Sequence, residues 1–271
     1  MLGLSPDSLT LGGAHHPPPS SADLALALAL RLALRLALGP PTSPSADRAP
    51  ASPSASPRRS VCTVKRLGLC LSGGVVGPAA FIAAWVIGGI WMGADYSPVD
   101  DAISRLAAVG AETRWLMTGG FVVFGVALVA FGQALRARLD GPVWITATLT
   151  GLATLGVAAT PLDWSDGVDR LHGAFAGFGY ITLAATSLLG ARAVWRDQAA
   201  ANRRPLAVGG AIAGMVSTVA LALTLTDLPT GFVQRLGLTA SDLWIIVLAA
   251  TMLDGRRITR RSTGQRVTKG A

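Results

Sequence analysis

Residues Gly68 to Gly93 read "GLCLSGGVVGPAAFIAAWVIGGIWMG", without one charged side chain. The hydrocarbon core of a bilayer is about 30 Å thick, and a helix rising 1.5 Å per residue crosses it in about 20 residues. Lipid offers nothing to an open backbone N–H or C=O, so an apolar run of this length must cross as a helix. This stretch therefore decides the fold class: all-α, in a membrane. Pro78 removes one helical hydrogen bond and predicts a kink.

Five more apolar runs follow, so spans are expected at about 67–93, 115–135, 143–160, 172–195, 206–226 and 232–253. The third is the shortest, and the sixth carries polar residues. Composition agrees: 51% of the chain is apolar and 14% is charged, against about a quarter charged in soluble domains. The expectation is a six-helix transmembrane bundle over residues 61–255, with a basic tail at 256–271. Cys62 and Cys70 have no CxxC spacing and read as small apolar residues rather than disulfide partners or metal ligands.

The net charge of +8 is resolved by where the charges lie. One side of the predicted membrane has Arg58, Arg59, Lys65, Arg66, Arg136, Arg138, Arg192, Arg196, Arg203 and Arg204. It also has the tail sequence "RRITRRSTGQR", whereas the other side has only Arg105, Arg114, Arg170 and Arg235. The positive-inside rule then places both termini in the cytoplasm of a cell whose plasma membrane the chain crosses. The basic residues are topology signals facing lipid; no folded basic module for nucleic acid is present in the sequence. Trp91, Trp115 and Trp164 mark the outer boundary and Trp144 and Trp195 the inner one. Gly89 and Gly93, Gly173 and Gly177, and Gly210 and Gly214 have the spacing that lets helices approach closely, here within one bundle.

Residues 1–60 are of another kind. Pro/Ser-rich flanks enclose "LALALALRLALRLAL", and the tail should be disordered. No Lys or Arg precedes the apolar run, two arginines interrupt it, and it is too short to span, so it does not read as a signal peptide. A dipeptide repeat is also what a tandem hexanucleotide encodes. Translation from a start codon set too far upstream stands beside the disordered-tail reading.

With this orientation, "DYSPVDDAISRL" (Asp95–Leu106) is the first outer loop. Ser97 can cap a helix, Pro98 suits its first turn, and Asp100 and Asp101 suit its dipole. Val99, Ile103, Leu106 and Ala107 fall on one side and Gly110 is a stop, so a short amphipathic helix over the bundle mouth is expected. The second outer loop, "TPLDWSDGVDRLHG", brings Asp163, Asp166, Asp169 and His172. The third brings Asp227 and Arg235. Asp242 lies two turns beyond Arg235, inside the apolar layer, where a charge costs about 3 kcal/mol. It should face the interior with a partner, and Arg235 or a loop serine is the candidate.

Residues 67–253 resemble the family catalogued as domain of unknown function 998, multi-pass membrane proteins of bacteria and archaea. The resemblance rests on "YSPVDDAISRLAAVG", on "PLD" followed by "LHGAFAG", and on "GFVQRLGLTASDLW". By position, the family's pattern falls on Ser104, Asp163, His172, Arg235 and Trp244. It implies a bundle of six to seven helices and no established activity.

Three functions fit these residues. The first is an outward-facing polar pocket for a small ligand, a lipid head group or a solute, with Ser104, Asp163, His172, Arg235 and Asp242 as candidate ligand-binding residues and the first loop as a lid. The second is a non-catalytic membrane subunit or sensor that binds a protein partner at the outer face. The third is an intramembrane metal-dependent hydrolase. His172 is the bundle's one histidine, which excludes a multi-histidine zinc site or a bis-histidine haem. A harder cation on His172, Asp163 and Asp169 stays open. No catalytic residue and no cofactor are implied, and no nucleotide-binding GxxxxGK[ST] loop is present. The acidic outer loops also have a plainer account, since basic residues are excluded from them.

Overall fold

A computed structural model describes residues 64–197, 203–226 and 228–267. Among them it contains helices and no strand. The helices are α1 (Val64–Met92), α2 (Arg114–Arg138), α3 (Val143–Ala159), α4 (Asp166–Arg196), α5 (Arg204–Leu223) and α6 (Thr230–Val267). Five are long and apolar enough to cross a membrane; α3, with 17 residues, is shorter. At 1.5 Å per residue α3 measures about 25 Å. The N-terminal tail at 1–60 and the last four residues lie outside the described residues, as do Cys62 and Asp227.

Each helix packs on the next, and α6 returns against α1, so the bundle closes on itself. α4 also touches α6 across the ring. The core consists of Leu71, Leu128, Phe131, Leu183, Ile245 and Leu248, all fully buried or nearly so. Cys70 packs against this core, as a small apolar residue would. Leu69, Ile90, Trp115, Trp195, Ile212 and Val247 point outward around the bundle, as lipid-facing side chains should. At one end Arg136 stacks over Trp144 at 4.7 Å and Arg204 over Trp195 at 5.6 Å, which holds both cations beside interfacial indoles.

Small residues set the closest approaches. Gly125 of α2 and Gly151 of α3 each face the other's backbone carbonyl, so a methyl group at either would clash. The indole of Trp244 (α6) lies against Gly190 (α4) and Gly210 (α5) and donates to the Leu206 carbonyl at 2.9 Å. Of the three expected glycine pairs, Gly210 and Gly214 pack inside the bundle. Gly173 and Gly177 instead face open space, and Gly89 meets Tyr96 of the loop. Helix α1 continues through Pro78 without a break in its assignment.

The loop between α1 and α2, at 93–113, differs from the expected amphipathic helix. Ser97 does cap: its Oγ accepts from Asp100 N at 3.2 Å, while Asp101 Oδ2 accepts from Ser97 N at 2.8 Å. The capped turn then stops at once, and a single 3₁₀ turn follows at Ile103–Ala107. Ile103, Leu106 and Ala107 are buried as the pattern requires, but Val99 is exposed. Gly110 ends the segment with φ +90°, a conformation only glycine takes freely.

Candidate ligand site

The loop between α1 and α2 is tied down on two sides. Toward α6, the Val99 carbonyl accepts from Phe232 N at 2.7 Å and the Asp100 carbonyl from Gly231 N at 3.3 Å. Gln234 Oε1 accepts from Ile103 N at 2.9 Å. Arg235 completes this edge. Its guanidinium donates to the carbonyls of Pro98, Asp101 and Gly231 at 2.7–2.9 Å and to the Tyr96 hydroxyl. The same group lies 5.4 Å from the Trp85 and Tyr96 ring centres. Burial pushes the Tyr96 hydroxyl above its ordinary pKa, and the neighbouring Arg235 pulls in the opposite direction.

Toward α4, Val109 N donates to the Leu162 carbonyl at 2.9 Å, and Arg105 Nη1 reaches both carboxylate oxygens of Asp163 at 2.9 and 3.0 Å. Asp163 adopts φ +63°, unusual for a residue with a side chain. Asp169 Oδ1 holds its backbone by accepting from Asp163 N at 3.0 Å. This ion pair is about half exposed at each member, so it positions the loop more than it stabilises the fold.

Beneath the loop lies a cavity of about 70 Å³. Ile103 and Ser104 roof it; Phe81, Phe121, Phe124 and Phe175 form its apolar walls. Thr150 and Thr154 of α3, His172 and Tyr180 of α4, and Gln234 and Asp242 of α6 supply the polar groups. Their hydrogen bonds are largely committed. Thr150 Oγ1 donates to the Thr146 carbonyl, Thr154 Oγ1 to the Thr150 carbonyl, and the Tyr180 hydroxyl to the Gln234 carbonyl at 3.3 Å.

Two fully buried groups are not committed. His172, 3% exposed, has Nδ1 2.5 Å from the Thr160 carbonyl. A carbonyl can only accept, so Nδ1 carries the hydrogen and Nε2 of the neutral ring is an acceptor. Nε2 has no hydrogen-bond partner among the described residues. Asp242 is 0% exposed, and neither carboxyl oxygen has a partner there. Its neighbour Ser241 turns away, into a buried network with Ser187 at 2.9 Å and Ser217 at 2.7 Å.

The five candidate residues thus divide. Ser104, His172 and Asp242 share the cavity; Asp163 and Arg235 hold its roof. Asp242 is not paired with Arg235, whose Nη1 and Nη2 groups bond the loop and the Gly231 carbonyl, and no serine reaches it. The metal trio is not assembled either. Asp163 faces Arg105 and Asp169 caps a backbone N–H, and no group of three His, Cys, Asp or Glu among the described residues could hold an ion. Sequence reasoning missed the four phenylalanines and the threonine pair. Thr150 and Thr154, one turn apart in the most apolar helix, were the available signal.

Tyr180 shows how tightly the wall is set. Its hydroxyl sits where a Cβ on Gly237 would lie. Gly237→Ala should therefore cost about 2 kcal/mol through overpacking. Thermal unfolding in micelles would show the loss, and adding Tyr180→Phe should recover part of it, since the Ala220 Cβ also lies 2.6 Å from that position. An unchanged melting temperature for the single variant would contradict the contact.

Residues 75–251, from α1 to α6, match the family model described as protein of unknown function (DUF998). No curated protein matches the chain, and no solved structure does.

Proposed function

The chain belongs to the DUF998 family, whose description names no activity, and from that premise we propose that it is a plasma-membrane protein holding a small ligand in the cavity beneath its first outer loop. One observation carries this reading: Asp242, fully buried, lines a cavity and has no partner for either oxygen among the described residues. A buried carboxyl without a partner is expensive, and such groups inside membranes are associated with substrate or ion paths. The loop is the lid, and Arg235, Arg105 and Asp163 are its fasteners. The arginine asymmetry puts the lid outside and both termini in the cytoplasm. The hydrolase reading gains nothing from the site, because two of its three ligands are engaged elsewhere. The sensor reading has no observation of its own.

The test uses single cysteines in a background with Cys62 and Cys70 replaced by serine. A cysteine at exposed Glu112 should react with an impermeant maleimide in intact cells, and one at Thr263 only after permeabilisation. A cysteine at Thr154, inside the cavity, should react with a small methanethiosulfonate from the outer side and resist a bulky maleimide. The reverse pattern at Glu112 and Thr263 would overturn the orientation. A Thr154 cysteine inert to both reagents would overturn the pocket.

A further inference from the structure

The fully buried unpartnered atoms of the cavity are all of one kind. Asp242 Oδ1 and Oδ2 and His172 Nε2 are acceptors, and all three lack a partner among the described residues. The protons of Thr150, Thr154 and Tyr180 are already spent on backbone carbonyls. The Ser104 hydroxyl and the Gln234 amide also line the cavity, but neither residue is fully buried; the fully buried uncommitted groups are acceptors alone, to which a carboxylate or phosphate brings no donor. A ligand must bring donors of its own.

The walls add a second constraint. Four phenylalanine rings surround the polar groups, and Phe81 stacks at 5.2 Å from Phe124 and 5.8 Å from Phe121. Aromatic faces attract cations, more strongly when both are shielded from water. Arg235 does not supply Asp242 with a counter-charge, since it bonds the loop and neither Asp242 oxygen has a partner among the described residues. We infer that the cavity binds a small organic ammonium ion, its N–H groups on Asp242 and His172 and its carbon atoms against the phenylalanines. An ammonium has donors for three acceptors, and the cavity presents three. Size sets the scale: a cavity of roughly 150 Å³ takes benzene, so one of about 70 Å³ suits about three non-hydrogen atoms.

This inference rests on the pocket reading, and the experiment separates the two. The full chain in lipid nanodiscs is titrated with ethylammonium, ethanol and acetate, followed by saturation-transfer NMR. Ethylammonium should bind saturably and at least tenfold more tightly than ethanol, and acetate should not bind. Asp242→Asn should weaken ethylammonium at least tenfold. Phe121→Leu, which leaves the carboxyl in place, should weaken it several-fold and serves if the first variant does not fold. Ethanol binding as tightly as ethylammonium would overturn the cation and leave the pocket standing. No binding by any of the three would overturn both.

Discussion

Replacing Arg235 with glutamine should lower stability by about 3 kcal/mol and free the loop between α1 and α2. Arg235 is 8% exposed and is the one side chain that joins Tyr96, Pro98, Asp101 and Gly231. Without its guanidinium the three carbonyls lose their charged donor, at roughly 1 kcal/mol or more each. The Val99 and Asp100 carbonyls keep their backbone bonds to α6, so the loop should loosen rather than unfold. For a chain of this size the loss corresponds to a fall of roughly 6–12 °C in Tm. Hydrogen exchange should localise it, with faster exchange at residues 99–109 and little change in α2 or α5. A drop in Tm with no added exchange in the loop would show that Arg235 acts through the bundle instead.

Asp242→Asn should act in the opposite direction, raising ligand-free stability by about 2 kcal/mol. An ionisable side chain inside the apolar layer costs about 3 kcal/mol on insertion scales, and nothing among the described residues offsets it here. An amide of the same shape fits the same space at a lower desolvation cost. Thermal unfolding in micelles, without added amine, should show the gain, and destabilisation would mean that the carboxyl has a structural partner. Combined with Arg235→Gln, the two effects should simply add, because the side chains share no partner. A coupling above about 1 kcal/mol would revive direct pairing.

Much of the frame was legible in the sequence. Apolar runs placed six helices, since lipid leaves the backbone no other option, but the fourth begins at Asp166 rather than 172 and the sixth runs on to Val267 rather than 253; only α3 is too short to cross by length alone. The depth of Asp242 was likewise readable, from seven residues of spacing after Arg235. Its lack of a partner was not. Helical spacing puts two side chains on one face but does not say that the longer one will bend back to the loop. The loop's i, i+3, i+4 pattern suited an α-helix and a 3₁₀ turn alike, and Asp101 closing on Ser97 N ends the capped turn early. The phenylalanine walls stayed hidden because three separate helices supply them. In a chain so apolar, no single phenylalanine stands out.

The loop's two fastenings decide how it can open. Held along only one edge, it would swing like a door, and large and small guests would escape at different angles. Held along both, by α6 on one side and the Asp163 turn on the other, it comes out like a stopper. Guests of different size should then leave at a single common rate, set by the stopper and not by the guest.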